Sequence, residues 1–138
     1  MNMESKEVRS KASGKRKSFI RWSTTTFKNS YCGLKYVYTH EYSFWVHLVL
    51  TIIVIAMGFI FKISMLNWAF LLILMALIII TELLNTAIEA TVDLVTDEWH
   101  ELAKIAKDTG SAATLVACLL AIGMWAYVFV PKIIELIF

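Results

Sequence analysis

The chain has 138 residues, of which 59% are hydrophobic and 17% charged, with a formal net charge of +2. A soluble domain is roughly 45–50% apolar and about 25% charged, so a chain this small and this apolar has to place its surplus apolar surface in lipid or against other subunits. The composition excludes a disordered chain and a disulfide scaffold; with 5 Gly, 1 Pro and little polar alternation it also argues against a membrane β-barrel, leaving an all-α integral membrane protein.

Residues 1–18 are rich in Ser and Lys and poor in apolar side chains, and are read as a basic disordered cytoplasmic arm. Up to His40 the chain carries nine bases against Glu4 and Glu7, which places this end on the cytoplasmic side. Next to membrane spans, such a tail reads as a topology signal attracted to anionic lipid, and no nucleic-acid partner is expected. A single membrane domain is expected over 19–138. It begins with Ile20, Phe27, Tyr31, Leu34 and Tyr38 at helical spacing while Lys28 and Lys35 share another face, which predicts an N-terminal amphipathic interfacial helix over 19–43. Asn29 and Gly33, four apart, form a small polar notch on it. Cys32 in this stretch and Cys118 in an apolar run have no metal-ligand company and are expected as reduced, structural thiols.

Three apolar runs follow, Trp45–Phe61 and Met65–Thr81 of 17 residues each and Ala112–Val130 of 19. About 17–25 residues of helix cross a bilayer, so transmembrane helices are predicted over 45–61, 65–81 and 112–130. The first two are joined by Lys62-Ile63-Ser64 in a tight hairpin whose tip lies outside, with Lys62 as a snorkelling anchor. The second is expected to continue into the cytoplasm as helix to about residue 96, and the third places the C-terminus outside. Between Glu82 and Asp108 the charge reverses, with seven acids against Lys104 and Lys107.

At about 100° per residue, a continued helix gathers Glu82, Asn85, Thr86, Glu89 and Asp93 within roughly a 100° arc. A lone carboxylate at a helix end commonly marks where a span meets water. Three stacked ones repel each other and call for a cation, a basic partner or a proton. Their oxygens suit magnesium, which takes one or two carboxylates together with substrate phosphates, so phosphoryl transfer is the first chemistry to weigh. Lys107-Asp108 and the boundary carboxylate Glu41 are compatible with it, although for Lys107 alone a salt bridge to a nearby acid is the simpler expectation. No phosphate-binding glycine loop, dinucleotide glycine pattern or protein-kinase signature is present. His40, His47 and His100 lack metal-ligand spacing and read as hydrogen-bonded interface residues, and Gly110-Ser111-Ala112-Ala113 reads as a close-packing stretch.

The run Glu82-Leu83-Leu84-Asn85-Thr86-Ala87-Ile88-Glu89-Ala90-Thr91-Val92-Asp93, followed by Glu98-Trp99-His100-Glu101-Leu102-Ala103-Lys104-Ile105-Ala106-Lys107-Asp108 and Gly110-Ser111-Ala112-Ala113, closely resembles the prokaryotic diacylglycerol kinase family, which includes undecaprenol kinases. The resemblance extends over roughly Phe19 to Val130. It implies a small integral-membrane lipid kinase of the cytoplasmic (inner) membrane, expected as a homotrimeric helical bundle with active sites shared between subunits. It also implies ATP as donor and Mg²⁺ as cofactor. Glu82 matches the catalytic base, which also meets the lipid substrate, and Glu41 and Glu89 match the ATP-binding carboxylates that hold magnesium on the ATP phosphates. Asn85 matches a residue supporting that centre, Lys107 and Asp108 the nucleotide-binding pair, and Glu98, Trp99 and His100 the stretch lining the nucleoside. Asn29 aligns with a further ATP contact, and Ser111 with a lipid-site position.

Where many undecaprenol kinases follow the glutamate that matches Glu41 with an Arg-Asn-Phe-Arg-like run, the chain reads Tyr42-Ser43-Phe44-Trp45, with His47 beyond. Features of both branches occur, so diacylglycerol to phosphatidic acid and undecaprenol to undecaprenyl phosphate both stay open. The alternative from another class is a small oligomeric proton- or cation-coupled transporter, which needs Glu82 and Glu89 to face a water-filled path through the membrane. A structural adaptor would tolerate exchange of Glu82, Asn85 and Glu89.

Overall fold

The computed structural model describes residues 3–138, with side chains from Ser18 onward. Its elements are α1 (Met3–His40), α2 (Tyr42–Ile60), α3 (Met65–Val95) and α4 (Glu101–Ile137), with no strand among the described residues. The last three are long and apolar enough to cross a membrane. The arm expected over 1–18 falls almost entirely outside the residues whose side chains are described.

Residues 1–39 and 40–138 form separate compact units. In the first, the hydroxyls of the Thr24-Thr25-Thr26 run are satisfied within the helix, each donating back to a carbonyl of the preceding turn, of Ile20, Arg21 and Trp22 at 3.0, 2.8 and 2.9 Å. Phe19, Trp22, Phe27 and Tyr31 are exposed on this helix. The segment expected as one helix over 19–43 is divided at Glu41, whose extended backbone (φ −102°, ψ 113°) caps the start of α2.

In the second unit, α2 ends in a Schellman closure. The Ile63 N–H reaches the Gly58 carbonyl at 3.2 Å and the Lys62 N–H reaches that of Phe59 at 3.3 Å. Lys62 takes the left-handed position at φ 47°, usually given to glycine, at a cost of roughly 1–2 kcal/mol. Ser64 then caps α3, its side chain accepting from the Asn67 N–H at 3.3 Å. Ile63 turns inward to join Leu71, Met75, Val128 and Phe129 in the buried core. Tilted rings extend that packing, Phe61 and Trp125 each 5.9 Å from Phe129.

α3 packs chiefly along α4, and α2 lies on α3. At 1.5 Å per residue, α3 is about 46 Å long and α4 about 55 Å, against about 30 Å of hydrocarbon. Both are therefore longer than the hydrocarbon is thick, and the charged residues of 82–111 lie toward the end where the two helices are joined, which is the end fit to overhang it. The span expected over 112–130 is the middle of a longer helix that continues through Pro131. Ending it there would leave backbone groups unbonded next to lipid, whereas a proline in line forgoes one donor.

Only 6% of the apolar window of α2 is buried within the chain, and Leu72, Ile73, Leu119, Leu120 and Ile122 are at least half exposed. Such a surface suits lipid or other subunits. Both cysteines are unpaired thiols.

Gly58 makes room for Trp68, whose ring would lie 2.6 Å from any Cβ added there and which stacks 5.0 Å from Phe59. Gly58→Ala is expected to destabilise the hairpin by about 1–3 kcal/mol, as overpacking does. Gly123→Ala, with nothing within 4 Å of its added Cβ, should leave stability unchanged or raised. Unfolding in detergent micelles compares the two.

Candidate active site

The carboxylate stripe of α3 is graded along the helix. Glu82 and Thr86 are buried, Asn85 and Glu89 half-buried and Asp93 exposed, as expected for a face that starts under neighbouring helices and ends in water. Glu82, 6% exposed, is held on both oxygens by α2. Ser43 Oγ donates to Oε2 at 3.1 Å, and His47 Nε2 lies 2.9 Å from Oε1. Ser43 and His47 are four apart and so share one face of α2. Thr86 Oγ1 donates to the Glu82 carbonyl at 3.1 Å.

One turn on, the Asn85 amide donates to Glu89 Oε1 at 2.8 Å. Among the described residues its own oxygen is buried without a hydrogen-bond partner, facing Gly110 of α4. A Cβ at residue 110 would come within 2.5 Å of that oxygen, so glycine is what lets α4 close on this side chain.

Beyond Val95 the chain turns sharply. Thr96 Oγ1 accepts the Glu98 N–H at 3.1 Å, and His100 caps α4 with Nδ1 accepting from Leu102 N–H at 3.1 Å. The turn faces α3 with α4's first residues, where Lys107 Nζ donates to Asp93 Oδ1 at 2.5 Å. Asp108 instead pairs along its own helix with Lys104 at 2.6 Å. The hydrogen bond and charge of Asp93, joined by the charge of Glu89, hold the Lys107 ammonium above its ordinary value, against a smaller opposing effect of desolvation.

Of the cavities beside these groups, two differ sharply in character. One of about 560 Å³ is lined by Asp93, Glu98, Trp99, His100, Lys107 and Asp108, among others. It is open and charged, and Trp99 on it is 80% exposed, free to stack on a planar ligand. The other, about 430 Å³, is apolar, lies between α2, α3 and α4, and includes His47, Val54, Met75, Cys118 and Trp125 in its wall.

The structure thus brings together Glu82, Asn85 and Glu89 on one face, and Glu98, Trp99, His100, Lys107 and Asp108 around one cavity. Glu41 stands at the start of α2 with no side-chain capping bond. Ser111 is exposed on α4 beside Gly110, and Asn29 lies on α1 in the other unit. Among the described residues no three His, Cys, Asp or Glu side chains converge as a metal cage. Sequence reasoning passed over Ser43 as a ligand of Glu82, over His47 as more than an interface residue, and over Asp93 as the partner of Lys107. The spacing of Ser43 and His47 was a signal, but nothing in it said which helix they face.

A family model described as prokaryotic diacylglycerol kinase matches residues 28–129. The chain is 38% identical over 93 residues to the undecaprenol kinase of Bacillus subtilis, covering 67% of this chain and 76% of that protein. It is 33% identical over 112 residues to a diacylglycerol kinase of Synechocystis, covering 80% and 64%. Over 49 residues it is 53% identical to the diacylglycerol kinase of Escherichia coli K12, covering 36% and 40%. The matches thus span less than two thirds of the length of the last two relatives.

Asp93→Asn is expected to return Lys107 toward its ordinary lysine value, followed through the ε-methylene resonance in a pH titration. Because the folded value is raised, the pairing is fully present below the ordinary lysine value and is lost as pH rises through the raised one.

Proposed function

We propose, for a chain that belongs to the prokaryotic diacylglycerol kinase family and is a membrane lipid kinase, that it transfers the γ-phosphoryl group of ATP to the primary hydroxyl of a membrane lipid alcohol, diacylglycerol or undecaprenol. The observation that carries this reading is Glu82, a buried carboxylate whose partner His47 lines an apolar cavity between the helices, on the face of α3 that leads, about 16 Å further along the helix, to Asp93 and the charged cavity at Lys107.

In this mechanism the lipid tail lies among apolar side chains and its hydroxyl meets Glu82. Glu82 removes the hydroxyl proton as the oxygen attacks phosphorus in line, and the bond to the departing ADP oxygen breaks. Lys107 leaves Asp93 to pair with phosphate oxygens, a change of partner between two anions. Glu98, Trp99, His100 and Asp108 border the nucleoside, with Trp99 offering its ring face. Asn29 and Ser111 are assigned further ATP and lipid contacts.

Magnesium fits the donors present. Glu89, oriented by the Asn85 amide, and Glu41, whose side chain makes no capping bond, would hold the ion, and phosphate oxygens would complete its coordination, as this ion prefers. When bound, the ion neutralises charge on the phosphates.

Positive-inside logic puts the N-terminus and this site in the cytoplasm and the C-terminus outside the inner membrane. A homotrimer would cover much of the exposed apolar surface and supply carboxylates that one chain does not gather. The transporter alternative calls for acids along a path through the membrane, whereas Glu89 and Asp93 lie on the overhang with Lys107.

Two measurements test the proposal. Purified protein in mixed micelles with magnesium and γ-labelled ATP should move label into diacylglycerol or undecaprenol offered separately; label in neither would remove the substrate assignment. Glu82→Gln should lower turnover by about 10²–10⁴-fold with ATP binding retained, and unchanged turnover would remove Glu82 from the base role.

A further inference from the structure

The hydrogen bonding around Glu82 asks more of α2 than anchoring. In the ionised form that a general base requires, a carboxylate only accepts, so with Glu82 in that role His47 presents Nε2–H to Oε1, just as Ser43 presents its hydroxyl to Oε2. The two donors come from one face of α2, straddle the carboxylate and fix the plane of the group. His47 is itself partly covered, with 17% of its side chain exposed against 8% for Glu82, and its ring forms part of the wall of the apolar cavity. It therefore stands where the cavity meets the carboxylate.

We propose that His47 is a positioning residue for phosphoryl transfer: by donating from Nε2 to Glu82 Oε1, with Ser43 on the other oxygen, it holds the carboxylate so that its remaining lone pairs meet the hydroxyl of a lipid lying in the apolar cavity. The assignment rests on the lipid-kinase reading of Glu82 and adds to it what aims the base. His47 touches Glu82 and acts through it. Each carboxylate oxygen can accept more than one hydrogen bond, so two donors leave room for the substrate hydroxyl. An apolar side chain at residue 47 would leave Oε1 buried and short of a donor, and the carboxylate would be free to turn toward other partners.

The test uses the full chain in mixed micelles with magnesium and γ-labelled ATP, with diacylglycerol and undecaprenol offered separately. His47→Leu keeps bulk and removes the donor; it is expected to lower kcat by about 10²-fold, the scale of a 1 Å misplacement of reacting groups, with KM for ATP unchanged. His47→Gln carries an amide N–H of similar reach and is expected to recover about tenfold of that loss, the worth of one hydrogen bond to a charged group. Ser43→Ala, the smaller perturbation, should lower kcat by about three- to tenfold in the same direction, and it carries the test if His47→Leu does not fold.

Folded His47→Leu with wild-type kcat overturns the proposal, as does equal impairment in His47→Leu and His47→Gln, or a raised KM for ATP with kcat untouched. If His47→Leu does not fold, wild-type kcat in Ser43→Ala overturns it. A wild-type chain that labels neither lipid removes the substrate reading and this assignment together. A wild type that labels lipid, beside variants that match it, removes only the assignment.

Discussion

A carboxylate buried at the edge of a hydrocarbon layer must find its hydrogen bonds inside the protein, since water cannot supply them and an unpaired charge there costs several kcal/mol. Glu82 meets that requirement with Ser43 and His47, and in doing so ties α3 to α2 at a defined register. Much of the molecule can be read outward from this constraint. α2 must begin close enough for its second turn to reach Glu82, which Glu41 arranges by breaking the helix just before it. The hairpin at the other end must return α3 at the matching height, and the left-handed Lys62 with the Ser64 cap makes that return within three residues.

The second element is the overhang. Both α3 and α4 exceed the thickness of the hydrocarbon, and being antiparallel neighbours they emerge together. Their close approach there depends on Gly110, which admits the Asn85 oxygen, while the Asn85 amide orients Glu89. The turn between them is held by side chains of the same residues that border the charged cavity, Thr96 and His100. Local capping and the shape of the site are thus one set of interactions. Lys107 and Asp93 lock the two helices across that cavity, with an ion pair exposed enough to exchange partners.

Several parts of this were legible in the residues. The helical class and the three spans follow from apolar runs of bilayer length, and the continuation of α3 past Thr81 follows from the periodic spacing of Glu82, Asn85, Glu89 and Asp93. The expectation that Lys107 pairs with a nearby acid matches its bond to Asp93. The break at Glu41 was missed because no glycine or proline marks it. The apolar run 112–130 marks the span and not the ends of α4, which continues through Pro131 because in apolar surroundings an unbroken backbone ladder is worth more than one missing donor. Lys62 was read for its charge, whereas its backbone closes the α2 helix.

What is periodic or local was legible in the residues alone: the number of spans, the face of α3 that carries the acids, and the family motif. Only the tertiary structure decided which groups meet across helices. That Glu82 is answered by His47 rather than by a lysine, that Lys107 turns to Asp93 rather than to its neighbour Asp108, and that Gly110 serves Asn85 are consequences of rotation and register between packed helices. Those variables are set by side-chain interlocking along the whole interface, so no stretch of sequence taken alone contains them.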